Sequence, residues 1–439
     1  MLIHRVVIYF PGIPMTPSSQ QRRSFLKASA GISAMAMIPG GVHAGASGKL
    51  RVGLVGCGGR GTGAASQALR ADREVELVAM GDMFRDRAEG SVAQLKRDGE
   101  IAPRVNVTPD RIFTGFDAYK KVIGAGVDVV LLASPPGFRP AHIAAAIEAG
   151  KHVFAEKPVA VDAPGCKTVL EACKKAKEKK LAVVSGLCWR YDKPKRETMK
   201  QIHDGALGEI HTLHTNYITG SLWMRKREPE WTDMEYQLRN WYYYAWLSGD
   251  HNVEQHIHSL DKCIWAMKDE APVAAYGLGG RQVRTGSDFG HIYDHHAVVY
   301  EFKEGAKIFS FCRQQAGCYN DVNDYFQGSK GRCNVMRHQI TGATQWTYKR
   351  DGKEIDMYQS EHNELFASIR KGEPINDGEW MTRSTLVAIL GRMATYTGKR
   401  VTWNQASEST EVLAPKVLDL NANPLPTPPV AMPGRTPLA

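Results

Sequence analysis

The chain has 439 residues, 43% of them apolar, a formal net charge of +10 and eight cysteines. That length exceeds what one ordinary core serves, so two domains are expected, and the apolar content excludes a disordered or fibrous chain. Lys and Arg are spread without a basic block and no C-x-x-C occurs, which argues against nucleic-acid binding and against a zinc or redox pair.

Gln21 to Lys27 reads QRRSFLK. Arg22 and Arg23, with Phe25, Leu26 and Lys27, resemble a twin-arginine export signal. The apolar run Ala28 to Ile38 is too short to span a bilayer, so no stable membrane insertion is expected. Val42-His43-Ala44 resembles a cleavage site. Residues 1–44 are therefore expected to be a signal peptide, and the mature protein to be periplasmic or secreted. Met15 is an alternative start that gives a more usual signal length. The first 44 residues hold four basic residues and no acid, which leaves +6 on the mature chain.

Leu50 to Val55 is a short apolar run, the pattern of a strand buried on both faces. Gly56, Gly58 and Gly61 follow as G-x-G-x-x-G, with Gly59 and Arg60 inside the turn, and Ala64 to Leu69 reads as helix. Such a turn needs glycine for tightness, for close approach of backbone to a pyrophosphate, and for helix–strand packing. Val75 to Ala79 reads as a second strand, and Asp82 stands 21 residues after Gly61. An acid there accepts hydrogen bonds from a ribose diol, which favours NAD. Arg85 is placed to meet a 2′-phosphate, so NADP stays open.

Strand and helix then alternate. Phe84 to Lys96, Arg139 to Glu148 and Ala163 to Lys179 read as helices; Arg111 to Thr114, Val127 to Ala133, His152 to Ala155 and Leu181 to Ser185 read as strands. That rhythm predicts a doubly wound, mostly parallel Rossmann sheet over residues 45–188. Ligands bind beyond the carboxyl ends of such strands, which carry Gly56 to Gly61, Asp82, Ser134-Pro135-Pro136 and Glu156-Lys157-Pro158.

The export signal, the glycine fingerprint, the SPP turn and GKHVFAEKP together resemble the Gfo/Idh/MocA oxidoreductase family, over about Lys49 to Trp403. The resemblance implies a nicotinamide cofactor contacted by Gly56, Gly58, Gly59, Arg60, Gly61, Asp82, Ser134, Pro135, Glu156 and Lys157. It implies that Lys157 meets both the reacting hydroxyl and the nicotinamide ribose. An ammonium beside a developing alkoxide stabilises charge and helps move a proton.

The second domain is expected over 189–412. Pro194 to His203 reads as helix; Glu209 to Thr219, Ala271 to Leu278, His296 to Phe302, Lys307 to Arg313 and Tyr325 to Gly328 read as strands joined by loops. An α+β domain with a large, mostly antiparallel open sheet follows. The resemblance implies the same sheet, with substrate on one face and oligomer contacts on the other, hence a homo-oligomer. Glu361 to Arg370 and Thr382 to Thr397 read as helices, the second bracing the first domain. Residues 413–439 are proline-rich, the pattern of a mobile tail or a wrapping arm.

Gly249 to Met267 reads as one helix on which His251, Glu254, His258 and Asp261 form a polar stripe. The family has Asp-x-x-x-His where this chain has Glu254-x-x-x-His258. The match implies that His258 is the general base and that Glu254 orients it or binds substrate. A divalent cation held by the stripe is the alternative; no metal is assigned. Between strand and helix lie Trp223, Trp231, Trp241 and Trp246, with Tyr236 and Tyr242 to Tyr244. They read equally as a sugar platform or as an interface. Arg190, Tyr191, Trp241, His251 and Asp261 are the candidate substrate residues.

The reading is an exported NAD(P)-dependent oxidoreductase acting on a small sugar, glycoside or polyol, with no nucleic-acid partner. The alternatives are a glycoside lyase or hydrolase using transient oxidation, and a non-catalytic cofactor-binding protein.

Overall fold

The computed structural model describes residues 48–439, so the export signal lies outside the described residues. Six strands form the first sheet: β1 (Leu50–Val55), β2 (Val75–Asp82), β3 (Ile112–Thr114), β4 (Val129–Leu132), β5 (His152–Ala155) and β6 (Val183–Ser185). Every pair is parallel and the order is β3-β2-β1-β4-β5-β6. All residues of β4 and β5 are buried, as strands with helices on both faces require. Those helices are α1 (Gly59–Ala71), α2 (Arg85–Leu95), α3 (Ala118–Gly124), α4 (Arg139–Glu148) and α5 (Ala163–Glu178). Strand order reverses between β1 and β4, which opens a crevice at their carboxyl ends.

The second sheet has nine strands: β7 (Ile210–Thr219), β8 (Ala274–Gly280), β9 (His295–Glu301), β10 (Lys307–Gln314), β11 (Asp321–Gly328), β12 (Gly331–Asn334), β13 (Gln339–Gly342), β14 (Trp346–Thr347) and β15 (Val401–Thr402). The order is β14-β13-β12-β11-β7-β10-β9-β8-β15. Only the β7–β10 pair is parallel. Burial alternates along β9 and β10, so one face is covered and the other is open. Helices Ile257–Ala266 and Gly378–Thr397 pack on the covered side. The open face carries Leu278, Phe311 and Tyr325.

The helix Gly378–Thr397 also packs against α5, so it braces both domains. Another helix, Met357–Lys371, returns to lie on α1. His362 on it is fully buried against Phe154 of β5, with ring centroids 4.3 Å apart. No described helix is long and apolar enough to cross a membrane.

One expectation needs correction, and one open alternative is decided. Gly249 to Met267 is two helices, His251–Glu254 and Ile257–Ala266, broken at Gln255–His256. The chain enters the first through Asp250 at φ +74° and ψ 161°, a region nearly confined to glycine. The proline-rich tail is a wrapping arm. Leu413, Leu420, Ala422 and Leu425 pack into the aromatic cluster of residues 222–247. Leu425 N–H donates to Asp233 (2.9 Å), and Thr232 Oγ1 donates to the Leu420 carbonyl (2.6 Å).

Gly391 sits mid-helix where Tyr300 and Asn252 press against the backbone. A Cβ there would lie 2.1 Å from the Tyr300 hydroxyl. Gly391→Ala should therefore destabilise by about 1–2 kcal/mol, overpacking outweighing the helix-propensity gain of about 1 kcal/mol. Chemical denaturation of the two proteins measures the sign.

Candidate active site

β1 ends in the glycine turn. Gly56 has φ +92°, and a Cβ on it would lie 2.4 Å from the Ser134 nitrogen. A Cβ on Gly61 would lie 1.9 Å from the Gly56 carbonyl oxygen, so both are glycine because backbone touches backbone. Gly59 differs: a Cβ there would meet nothing within 4 Å. It opens α1, whose N-cap Gly58 offers no side-chain acceptor. The free N–H groups of that first turn thus face open space, the arrangement a pyrophosphate fits.

A cleft of about 420 Å³ runs from this turn across the strand ends. Gly56, Gly58, Gly59, Arg60, Gly61, Asp82, Ser134 and Pro135 all line it. Asp82 accepts hydrogen bonds from the N–H of Cys57 (2.7 Å) and of Phe84 (3.0 Å), and burial raises its pKa. Ser134 Oγ lies 3.1 Å from His142 Nδ1; burial and Arg139 lower that imidazole to about 3. Arg60 pairs with Glu156 at 2.9 Å and lies over Tyr358. Arg85 does not face the cleft, because it bonds Glu89 and the Ile112 carbonyl (both 3.3 Å). Arg87, one half-turn on, lines it instead.

The outer wall of the cleft comes from the second domain: Trp223, Arg225, Leu238 and Trp241. The aromatic segment is thus a domain interface over the dinucleotide groove. Trp241, read from sequence as a substrate residue, stands 6.2 Å from Trp223 in this wall.

Lys157 leaves β5 toward the second domain. Its Nζ donates to Glu254 Oε1 (2.8 Å) and to the Glu254 carbonyl (2.5 Å). Glu254 therefore holds Lys157, where the sequence pointed to His258. The His258 ring rests on Trp189 at 5.2 Å. Burial, then Lys157, then Lys262 push its pKa well below 6.5, so the imidazole is neutral. Trp189 and Lys262 were not found from sequence; neither carries a motif.

The other stripe members lie apart. Asp261 takes Arg190 Nε (3.0 Å) and Nη2 (2.9 Å) and Ser384 Oγ (2.7 Å). Asp269 takes the same guanidinium at 2.6 Å, and Trp380 lies under it at 4.2 Å. Arg190 and Asp261 form a buried ion pair. The Tyr191 hydroxyl donates to buried Asp377 (2.5 Å). His251, 1% exposed, pairs with Asp250 at 2.7 Å. Asp250 also accepts from Tyr396 Oη (2.6 Å) and Tyr293 N–H (2.9 Å), with His296 at 3.3 Å. Asp250, His251 and His296 are the one group of three potential metal ligands among the described residues, and hydrogen bonds occupy its carboxylate.

Arg190→Met leaves Asp261 buried with part of its charge uncompensated, so it should cost about 3–5 kcal/mol of stability. Dinucleotide affinity should not change. Thermal unfolding and calorimetry separate this structural role from a substrate role.

Residues 50–184 match the oxidoreductase family GFO_IDH_MocA, NAD-binding Rossmann fold. The chain is 29% identical over 265 residues to an inositol 2-dehydrogenase of Serratia proteamaculans, covering 59% of this chain and 66% of that one. It is 32% identical over 263 residues to inositol 2-dehydrogenase 3 of Saccharopolyspora erythraea, covering 59% and 65%. The matched stretch thus spans just under two thirds of these relatives. In fold it is similar to an aldose–aldose oxidoreductase of Caulobacter crescentus, with TM-score 0.62 and 20% identity over 81% of this chain and 99% of that one. Together with the glycine turn and its cleft, these matches show that residues 50–184 form an NAD-binding Rossmann domain similar to that of the Gfo/Idh/MocA oxidoreductases.

Proposed function

We propose that the protein is an exported oxidoreductase that moves a hydride between the hydroxyl-bearing carbon of a sugar, glycoside or polyol and a tightly held NAD. The observation that carries this reading is the contact of Lys157 with Glu254 beside His258; Lys157 follows Glu156, which pairs with Arg60 of the dinucleotide cleft. When bound, the nicotinamide supplies the hydride chemistry; the protein supplies position and charge. His258, kept neutral by burial and two cations, takes the hydroxyl proton. Lys157 stabilises the oxygen as charge develops on it, and Glu254 fixes the ammonium. The matched inositol 2-dehydrogenases support a polyol or sugar as substrate class.

Tight retention is supported by the wall of Trp223, Leu238 and Trp241 over the cleft and by the C-terminal arm packed behind that segment. Retention matters outside the cytoplasm, where no free NAD pool exists. Each hydride removed is then returned inside the same site. Protein purified from periplasm should release nicotinamide dinucleotide on denaturation, read by mass spectrometry of the supernatant. A suitable sugar, tested from a polyol and glycoside panel, should reduce the bound cofactor once and stall without an acceptor. His258→Ala should keep the cofactor and lose that reduction by about 10²-fold or more, the range of general-base catalysis. An empty pocket with rapid turnover on free NAD would overturn the closed cycle.

Export rests on Arg22 and Arg23. Replacing both with lysine should leave precursor in the cytoplasm. Unchanged periplasmic delivery, seen by fractionation and blotting, would remove this part of the proposal.

A further inference from the structure

The helix Ile257–Ala266 carries His258 and, one turn on, Lys262. Residues four apart share one helix face, and both side chains meet the same indole. The His258 ring centroid lies 5.2 Å from that of Trp189, and Lys262 Nζ stands 3.4 Å over the Trp189 ring. Lys262 has no exposed surface. A lysine buried so deeply needs a partner. Asp324 of β11, equally buried, supplies it as an ion pair. Asp324 is itself seated, because Thr215 Oγ1 of β7 donates to its Oδ1 (2.5 Å). Met336 Sδ lies 3.3 Å from the ammonium.

Such a pair is costly to bury, and well-packed apolar residues of similar volume are often as stable or more so. Stability alone therefore does not account for it. Its location does more: it sets a positive charge one helical turn from a buried imidazole. The charged groups around that imidazole come from several elements. Lys157 comes from the end of β5 and is engaged by Glu254. Lys262 comes from the helix of His258 itself. Lys195, of the helix Lys193–His203, stands 5.2 Å over Trp189 and pairs with Asp192 at 3.0 Å. His258 Nδ1 is buried with no hydrogen-bond partner among the described residues, so no carboxylate there favours an imidazolium. Lys157 and then Lys262 act on the ring in the same direction as burial, against protonation.

We propose that Lys262 is a positioning residue for the base: held by Asp324, it packs on Trp189 beside His258 and keeps that imidazole in the neutral form that accepts a proton. The inference rests on the reading of His258 as proton acceptor, and it gives the Lys262–Asp324 pair a role in the reaction. A base needs its lone pair free at the working pH. A fixed ammonium, shielded from water, secures this in a medium where an exposed histidine would already be charged.

The test reads the proton on His258 directly. Mature protein isotope-labelled at histidine Cε1 is titrated by NMR, and the His258 resonance is the one missing in His258→Gln. In the wild type it should stay at its neutral position from about pH 8 to about pH 5. Lys262→Met should make it titrate about one pH unit higher or more, so that it is protonated at about pH 5. That variant leaves Asp324 unpaired; the double change of Lys262→Met with Asp324→Leu buries no charge and should show the same shift. Asp324→Asn keeps the ammonium, so the imidazole should stay neutral. A pair with a merely structural role would loosen the site in all three variants and let His258 titrate in each. A wild-type imidazole charged at about pH 5, no shift in either Lys262 variant, or an equal shift in Asp324→Asn would overturn the inference. The single reduction of bound cofactor by a sugar, followed in parallel, should lose its acid limb at higher pH in Lys262→Met. Absence of that reduction in the wild type at every pH, with the NMR shifts present, would overturn the oxidoreductase reading and leave the hold of Lys262 on His258 standing.

Discussion

The Lys157–Glu254 pair is the contact on which the site depends. Lys157 belongs to the end of β5 in the first domain, and Glu254 to the helix that opens the covered side of the second. Both side chains are about one-seventh exposed, so the pair is shielded without being sealed. An ammonium there holds a carboxylate and a main-chain carbonyl at once. It thereby ties the end of β5 to the helix His251–Glu254. A surface pair would contribute little to such a fixation; a shielded, doubly bonded one contributes more.

Asp250 supports this arrangement from behind. Its backbone takes a conformation that costs on the order of 1–3 kcal/mol for a residue with a Cβ. The main-chain N–H groups of His251 and Tyr293, the ring nitrogens of His251 and His296 and the Tyr396 hydroxyl surround its fully buried carboxylate and offset that strain. One short helix further on, the expected long helix breaks after Glu254. One continuous helix would place Glu254 and His258 on a single stripe with His251 and Asp261. The break leaves Glu254 facing Lys157, while Asp261 turns to Arg190.

The first domain was legible because its signals are local. Apolar runs, glycine spacing and the acid that ends β2 each follow from one strand and its turn, and the glycine contacts at Gly56 and Gly61 are backbone on backbone. The second sheet was legible in type, but β12, β13, β14 and β15 were missed; they are two to four residues long, and β15 pairs with β8 across distant sequence. The site was partly legible. Lys157 and the glycine turn sit where motif and fold agree. Arg190, Tyr191, Asp261 and His251 are buried against other side chains, and a buried polar residue has the same sequence signature whether it meets a ligand or another side chain. Trp223 and Arg225 stood inside a flagged aromatic segment, yet only the packing of two domains brings that segment over the cofactor groove.

The buried imidazoles have a consequence for the environment the protein tolerates. His142 and His362 are held at about 3, and His251 at about 4, in each case first by burial; His256 and His258 lie lower than their ordinary value for the same reason. In the unfolded chain each titrates near pH 6.5. Between those values the unfolded state binds more protons than the folded one. Folding stability is therefore intact above about pH 6.5 and drains away as the medium acidifies toward 4. Five such groups act in the same direction and in both domains, so mild acid loosens the molecule as a whole, not at one hinge. A cytoplasm would shield the protein from that range. A compartment open to the surroundings would not, and external acidity then becomes a limit on where the catalyst survives.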